Sequence, residues 1–328
     1  MSAATATQRC NLADAVATFI TYKRALNRGY QTEAAALRLL AQSLGQAGTR
    51  DLRDLTPAMI DSFLQSRPRR RPRSYNHLLG VVRRFFDWAI VQGLIEHNPV
   101  QSARRRAGST RRPYLFNVDE ARRLLAAARA LPERPRAPYR GIVYEMVFAL
   151  LFTLGLRVGE ACRLRLGDVD LQHAVLTIRT SKFGKSRLVP FGPRMGDRLQ
   201  HYLEQRFTAP TGPDTPIFSF TRRGCVCPET ISQTFHTLWP KLGLTVPPGV
   251  SSPRLHDLRH SFAVATLLRW YREGIDPNQR LLHLSTFLGH VSPTSTAVYL
   301  TITEQLLAQA NARFRSHTLP RISAGGVP

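Results

Sequence analysis

His256-Asp257-Leu258-Arg259-His260, then Leu288-Gly289-His290, then Tyr299 nine residues further on, is the stretch from which the rest of the chain can be read. Leu258, Phe262, Ala265 and Leu268 recur at intervals of three and four, which predicts a helix over 256–272 with His256 and Arg259 one turn apart on one face. Both side chains can then enter a single site. Leu281 to Leu288 reads as a second apolar helix, ended by Gly289 in a left-handed cap that leaves His290 on a sharply turned backbone. Ser292-Pro293 has the form of an N-cap followed by proline at the first helical position, which places Tyr299 near the end of a short helix.

A matching piece lies upstream. Gly141 to Leu154 is almost wholly apolar and predicts a buried helix, running into Gly155-Leu156-Arg157-Val158-Gly159-Glu160, which turns and opens another. Arg157 thus stands at the exit of a buried helix, with Glu160 three residues on to support it. Residues 174–180 and 186–190 carry β-branched side chains around a polar turn, a hairpin signal. The chain has four lysines, and two of them, Lys182 and Lys185, sit on that turn.

Taken together, these motifs resemble the tyrosine recombinases of the phage-integrase family, over residues 113–312 by motif and over the whole chain by layout. The family's ordered set is Arg, Lys, His-x-x-Arg, His (or Trp) and Tyr. The resemblance assigns Arg157, Lys182, His256, Arg259, His290 and Tyr299 to these places, with Glu160 as the supporting acid. On the hairpin, the shared Arg-Leu-Val-Pro run favours Lys182, although Phe183 stands where the family tends to have glycine; Lys185 is the other candidate and otherwise a phosphate contact. One tyrosine or histidine on an apolar helix is ordinarily core, so the ordered conjunction carries the reading. His260 and His283 fall off the motif and read as structural.

The chemistry accounts for these residue types. Attack on a phosphodiester builds negative charge on the non-bridging oxygens, which two guanidinium forks, Arg157 and Arg259, can neutralise without a metal or other cofactor. Tyrosine must lose its proton, for which His256 is the expected base, while His290 can hydrogen-bond the phosphate. The resemblance gives Lys182 the role of protonating the leaving 5′ oxygen. A 3′-phosphotyrosyl bond would conserve the phosphodiester energy, so rejoining would need no ATP. A type IB topoisomerase shares this chemistry, and a non-catalytic DNA-binding regulator could share the fold; the complete residue set disfavours the second.

Charge agrees with a nucleic-acid partner. The formal net charge is +24, and the 46 basic residues divide so that residues 1–112 and 113–328 each carry a net +12. Both parts are therefore expected to touch DNA phosphates. Length predicts two domains. Helices are expected near 11–27, 31–46, 57–66 and 73–93, an all-helical N-terminal domain over 1–103 that the resemblance makes a core-binding, SAM-like DNA-binding domain. A basic link over 104–113 follows, with Arg104, Arg105 and Arg106 placed along DNA. The resemblance makes residues 114–328 a mixed α+β integrase-type catalytic domain, so the expected fold class is mainly α with a small β-hairpin or sheet. Arg69, Arg70, Arg71 and Arg73, interleaved with prolines, read as a phosphate-contacting loop.

The resemblance further implies a C-shaped clamp on double-stranded DNA and a homo-tetramer on two specific recombination sites, with related recombinases as alternative partners and 303–314 as a helix docking on the next protomer. Cys10, Cys162, Cys225 and Cys227 make neither a disulfide framework nor a zinc spacing. With no apolar signal core and no bilayer-length apolar run, a soluble cytoplasmic protein acting at the nucleoid, with no membrane partner, is expected.

Overall fold

The computed structural model describes residues 11–26, 29–106, 108, 112–179, 186–209, 211–220, 224–290, 292 and 294–301. Lys182, Lys185, Cys10 and the expected docking helix lie outside them. The chain divides into two compact units, Met1–Thr110 and Arg111–Pro328.

The first unit is built from α1 (Leu12–Ala25), α2 (Gln31–Gln46), α3 (Pro57–Gln65) and α4 (Pro72–Val91). Their starts follow local chemistry. The Asn11 side chain accepts from the N–H of Ala13 at 2.8 Å, and Thr56 caps α3 ahead of Pro57. The apolar stripes of the four helices close on Phe19, Phe85 and Phe86, each with no exposed surface, with Trp88 5.2 Å from Phe19 between ring centroids. The arginine-rich loop ends earlier than the sequence predicts: Arg71 is the N-cap of α4 and Arg73 lies in its first turn. Pro72 takes the first helical position, where its missing N–H leaves no hydrogen bond unmade. Residues 104–106 belong with this unit, because Arg105 exchanges hydrogen bonds with Asn76 at 2.8 Å and lays its guanidinium 3.9 Å over the Tyr75 ring.

The second unit opens with α5 (Val118–Arg129), started by a reciprocal capping box between Asn117 and Glu120, and packs it on α6 (Arg140–Thr153), the expected buried helix. Then come α7 (Val158–Cys162) and a three-stranded antiparallel sheet of β1 (Val169–Asp170), β2 (Val175–Ile178) and β3 (Arg187–Pro190), in that order. The hairpin is β2–β3, paired from Val175↔Pro190 to Ile178↔Arg187. At the end nearest the turn, both strands are pinned by arginine to buried carboxylates: Arg179 to Asp168, and Arg187 to Glu160. After α8 (Pro193–Arg206) and α9 (Pro228–Leu238) come α10 (Asp257–Arg272), α11 (Pro277–Leu288) and the single turn α12 (Thr294–Ala297), running into a 3₁₀ turn at Val298–Thr301. The start of α11 lies four residues before the predicted Leu281, since Asp276 caps it, accepting from Asn278 at 3.0 Å, and Pro277 occupies its first position. Among the described residues no helix is long and apolar enough to cross a membrane.

Candidate active site

Three arginines from three elements meet at the C-terminal end of α11. Helix ends leave carbonyls without intrahelical partners and carry the negative end of the helix dipole. Here three consecutive carbonyls are each taken by a guanidinium: Phe287 by Nε of Arg187 at 2.8 Å, Leu288 by Nη2 of Arg259 at 2.6 Å, and Gly289 by Nη2 of Arg157 at 2.7 Å. Among the described residues Glu160 supplies the one carboxylate hydrogen-bonded within this cluster. It accepts from both Nη atoms of Arg187 at 2.9 Å, from Nη1 of Arg157 at 2.7 Å and from the Arg157 backbone N–H at 3.0 Å. Burial pushes its pKa up, but the bonds from Arg187 and Arg157 outweigh that and hold it at about 2. Three cations against one anion leave a net +2 in a largely buried pocket, an arrangement that attracts an anion.

Arg259 is 1% exposed, and its other fork arm donates to the Gly155 carbonyl at 2.6 Å. Burial, then the nearby Arg157, lower its pKa to about 10, so it remains charged at neutral pH. Its Nε is buried without a hydrogen-bond partner among the described residues. Two glycines permit this convergence. Gly155 (φ +60°) bends the chain between α6 and Arg157, where a Cβ would stand 2.5 Å from Phe262; Gly289 (φ +66°) caps α11, where a Cβ would stand 2.8 Å from the Arg187 guanidinium.

The head of α10 brings the histidines. His256 is its N-cap, and its ring meets His260 edge-on with centroids 4.7 Å apart. Tyr299, on the 3₁₀ turn and 4% exposed, places its hydroxyl oxygen 3.0 Å from Nδ1 of His260. His290 stacks along the Tyr299 ring at 6.2 Å and is fixed by Nδ1 against Oγ1 of Thr296 at 2.7 Å. Burial raises the Tyr299 pKa, while Arg259 and Arg157 oppose the rise. What the pocket can do chemically is hold a phosphate-like anion beside a tyrosine hydroxyl with three imidazoles at hand.

The sequence profile of the phage integrase family matches residues 115–305. The chain belongs to the phage integrase family. An integrase/recombinase of Sinorhizobium fredii, y4rB, is 36% identical over 275 residues, 80% of this chain and 85% of that protein. A tyrosine recombinase XerC of Xanthomonas campestris pv. campestris is 27% identical over 277 residues, 83% of this chain and 79% of that protein. The chain is accordingly a tyrosine recombinase. Among solved structures, the Tn1549 transposon integrase in complex with a circular intermediate DNA shares the fold with a TM-score of 0.66 at 16% identity, covering 93% of this chain and 99% of that one. A lambda integrase tetramer bound to a Holliday junction matches with a TM-score of 0.63 at 21% identity, covering 89% and 80%.

Of the residues that the integrase motifs single out, the structure brings together Arg157, Glu160, His256, Arg259, His290 and Tyr299. Arg69, Arg70, Arg71, Arg73, Arg104, Arg105 and Arg106 are exposed on the other compact unit. His283 is exposed, consistent with no part in the site. Two members escaped sequence reasoning: His260, which read as structural and meets the Tyr299 hydroxyl, and Arg187. The signal for Arg187 was its place in the Arg-Leu-Val-Pro run, which served only to align the hairpin.

Two measurable consequences follow from the buried charges. Replacing Arg187 by Ala strips Glu160 of two hydrogen bonds and orphans the Phe287 carbonyl. Removing one partner of a buried pair costs about 3–5 kcal/mol. Urea unfolding of Arg187→Ala should show a loss of that order, and a loss under about 1 kcal/mol would show the pair to be dispensable.

The second consequence concerns pH. Burial comes first in holding His256, His260 and His290 at about 4, with positive neighbours adding to it. Unfolding returns each to about 6.5. As pH falls from about 6.5 towards 4, the unfolded chain takes up protons that the folded chain refuses, so stability falls. The stability that Glu160 contributes is present above about 4.5 and is lost as pH falls towards 2. The urea midpoint should therefore decline from pH 6.5 to 4 and continue down below 4.5. A midpoint flat from pH 7 to 4.5 would contradict neutral, buried rings.

Proposed function

We propose that this tyrosine recombinase cleaves and rejoins duplex DNA at specific recombination sites through a 3′-phosphotyrosyl bond on Tyr299, using neither metal nor ATP. The observation that carries this reading is the buried Tyr299 hydroxyl beside an arginine pocket of net +2. A guanidinium has five N–H donors. The described hydrogen bonds of Arg259 use two, to Gly155 and Leu288, so its fork is oriented by backbone while donors remain for the phosphate. Arg157 is held in the same manner by Glu160 and Gly289. Orientation fixed before the substrate arrives is what makes such donors effective on charge developing in the transition state.

In this reading Arg157 and Arg259 bind the non-bridging oxygens, and His256 and His290 face the same phosphate. Lys182, or Lys185 in its place, protonates the leaving 5′ oxygen. Arg69, Arg70, Arg71, Arg73, Arg104, Arg105 and Arg106 grip the phosphate backbone from an N-terminal domain over 1–103 and the link over 104–113. Four copies act on two DNA sites, each extending residues 303–314 to a neighbour. Lambda integrase, a protein of the same fold, has been seen as a tetramer on a Holliday junction.

The test uses fragmented DNA of the host together with a supercoiled plasmid, in EDTA and without ATP. A sparse set of fragments should become covalently attached to protein at their 3′ ends, while a plasmid lacking those sequences stays supercoiled. Relaxation of that plasmid would instead favour a nicking and resealing enzyme of the topoisomerase kind. Loss of all attachment in EDTA would point to metal-dependent cleavage.

A further inference from the structure

Among the described residues, the imidazole hydrogen-bonded to Tyr299 is that of His260, with Nδ1 3.0 Å from the hydroxyl oxygen. The two rings meet at 60° with centroids 5.4 Å apart. On the other side of the His260 ring, Nε2 lies 3.9 Å from Oδ1 of Asp257. Asp257 has no exposed surface, and it accepts from the Arg254 backbone at 2.9 Å and from the Arg254 guanidinium at 3.2 Å. The 3.9 Å separation at Nε2 is too long for a hydrogen bond, but the negative charge of the carboxylate on this side favours a proton on Nε2, which leaves the Nδ1 lone pair facing the tyrosine. Hydroxyl, imidazole and buried carboxylate thus stand in series.

We propose that His260, oriented by Asp257, takes the proton of Tyr299 during cleavage and returns it during rejoining, the role that sequence reasoning gave to His256. The inference rests on the reading of Tyr299 as nucleophile. As Tyr299 Oη bonds to phosphorus, its O–H bond breaks and the proton passes to Nδ1 of His260. The bond from phosphorus to O5′ breaks with its electron pair on O5′, which takes a proton from the hairpin lysine. In the reverse step the O5′ hydroxyl returns its proton to the lysine as it bonds to phosphorus, the bond from phosphorus to Tyr299 Oη breaks with its electron pair on Oη, and His260 gives the proton back to that oxygen. His256, whose ring stands perpendicular to that of His260 with centroids 4.7 Å apart, is then left to the phosphate.

The surroundings explain how the base is switched on. His260 faces Arg254 and Asp257 at the entry of α10, His256 and Arg259 on α10, and Tyr299 from the 3₁₀ turn. In the free protein, burial followed by Arg254 and Arg259 keeps the ring neutral. A phosphodiester seated on the arginines adds negative charge to that side and relieves their effect, so His260 becomes a stronger base when DNA is bound. The imidazolium formed then lies between phosphate and the Asp257 carboxylate.

The experiment is single-turnover formation of the covalent complex on a nicked substrate that traps it, from pH 5 to 9, for the wild type, His260→Ala and His260→Gln. Glutamine keeps a hydrogen bond to Tyr299 and cannot take a proton. Both variants should bind DNA as the wild type does and be slower by about 10²–10⁴. Added imidazole should raise the rate of His260→Ala, and a 5′-bridging phosphorothiolate should not, because the lost proton transfer is at the nucleophile. A His260→Gln rate within about threefold of the wild type would overturn the proposal in favour of mere positioning. An Ala variant that imidazole leaves unchanged and phosphorothiolate restores would overturn it as well. If the wild type itself forms no complex through Tyr299, it is the nucleophile assignment that fails.

Discussion

Tyr299→Phe is expected to abolish strand cleavage, with covalent protein–DNA complex falling below detection, while DNA affinity stays close to that of the wild type. The substitution removes one oxygen, the atom that would bond to phosphorus, and no charge. The arginines proposed to bind the phosphate are held by Glu160 and by the carbonyls of Gly155, Leu288 and Gly289, none of which depends on the tyrosine hydroxyl. Phenylalanine fits the same 4% exposed cavity and keeps the stack with His290. The hydrogen bond to His260 is lost, so stability should change by about 1 kcal/mol. Gel-shift affinity and covalent-complex yield on one DNA fragment read both sides of the expectation. A variant that still forms the adduct would remove Tyr299 from the mechanism.

Lys182→Ala is expected to have the next largest effect. If that lysine protonates the leaving 5′ oxygen, cleavage should slow by about 10²–10⁴, the usual worth of a general acid. A 5′-bridging phosphorothiolate substrate should restore most of the rate, since a thiolate leaves without a proton. Lys185→Ala should chiefly weaken binding and its salt dependence, as for a phosphate contact. The strands on either side of the lysines are anchored next to the turn, Arg179 to Asp168 and Arg187 to the same Glu160 that holds Arg157. Strand β3 is thereby tied through Glu160 to Arg157, the arginine proposed to bind the phosphate. Rescue of Lys185→Ala and not of Lys182→Ala would shift the assignment by three residues along the hairpin.

Much of this was legible in the sequence because it is local. The left-handed cap at Gly289, the turn at Gly155 and the proline that opens α3 are written in single residues whose backbone preferences leave few alternatives, whereas Pro72, which opens α4, read as part of the arginine loop. The start of α11 was equally local, in Asp276-Pro277, but the apolar run beginning at Leu281 drew the boundary inward. What was not legible depends on tertiary contact. Arg187 reaches Glu160 across 27 residues and Phe287 across 100, and no periodicity signals either bond. His260 is adjacent to a motif residue, yet its partner Tyr299 is 39 residues away and enters on a different element. Strand β1, two residues long, is made by pairing with β2 rather than by its own composition.

In the proposed mechanism Tyr299 becomes joined to a 3′ phosphate of DNA. The most direct test is to trap the covalent complex in EDTA without ATP, digest protein and DNA, and identify the nucleotide-bearing peptide by mass spectrometry. The expected product is the peptide containing Tyr299, linked through the 3′ phosphate of the cleaved strand, with a free 5′ hydroxyl on the other end. A nucleotide on any other residue, a 5′-phosphate linkage, or an adduct that forms only with a divalent metal would contradict it.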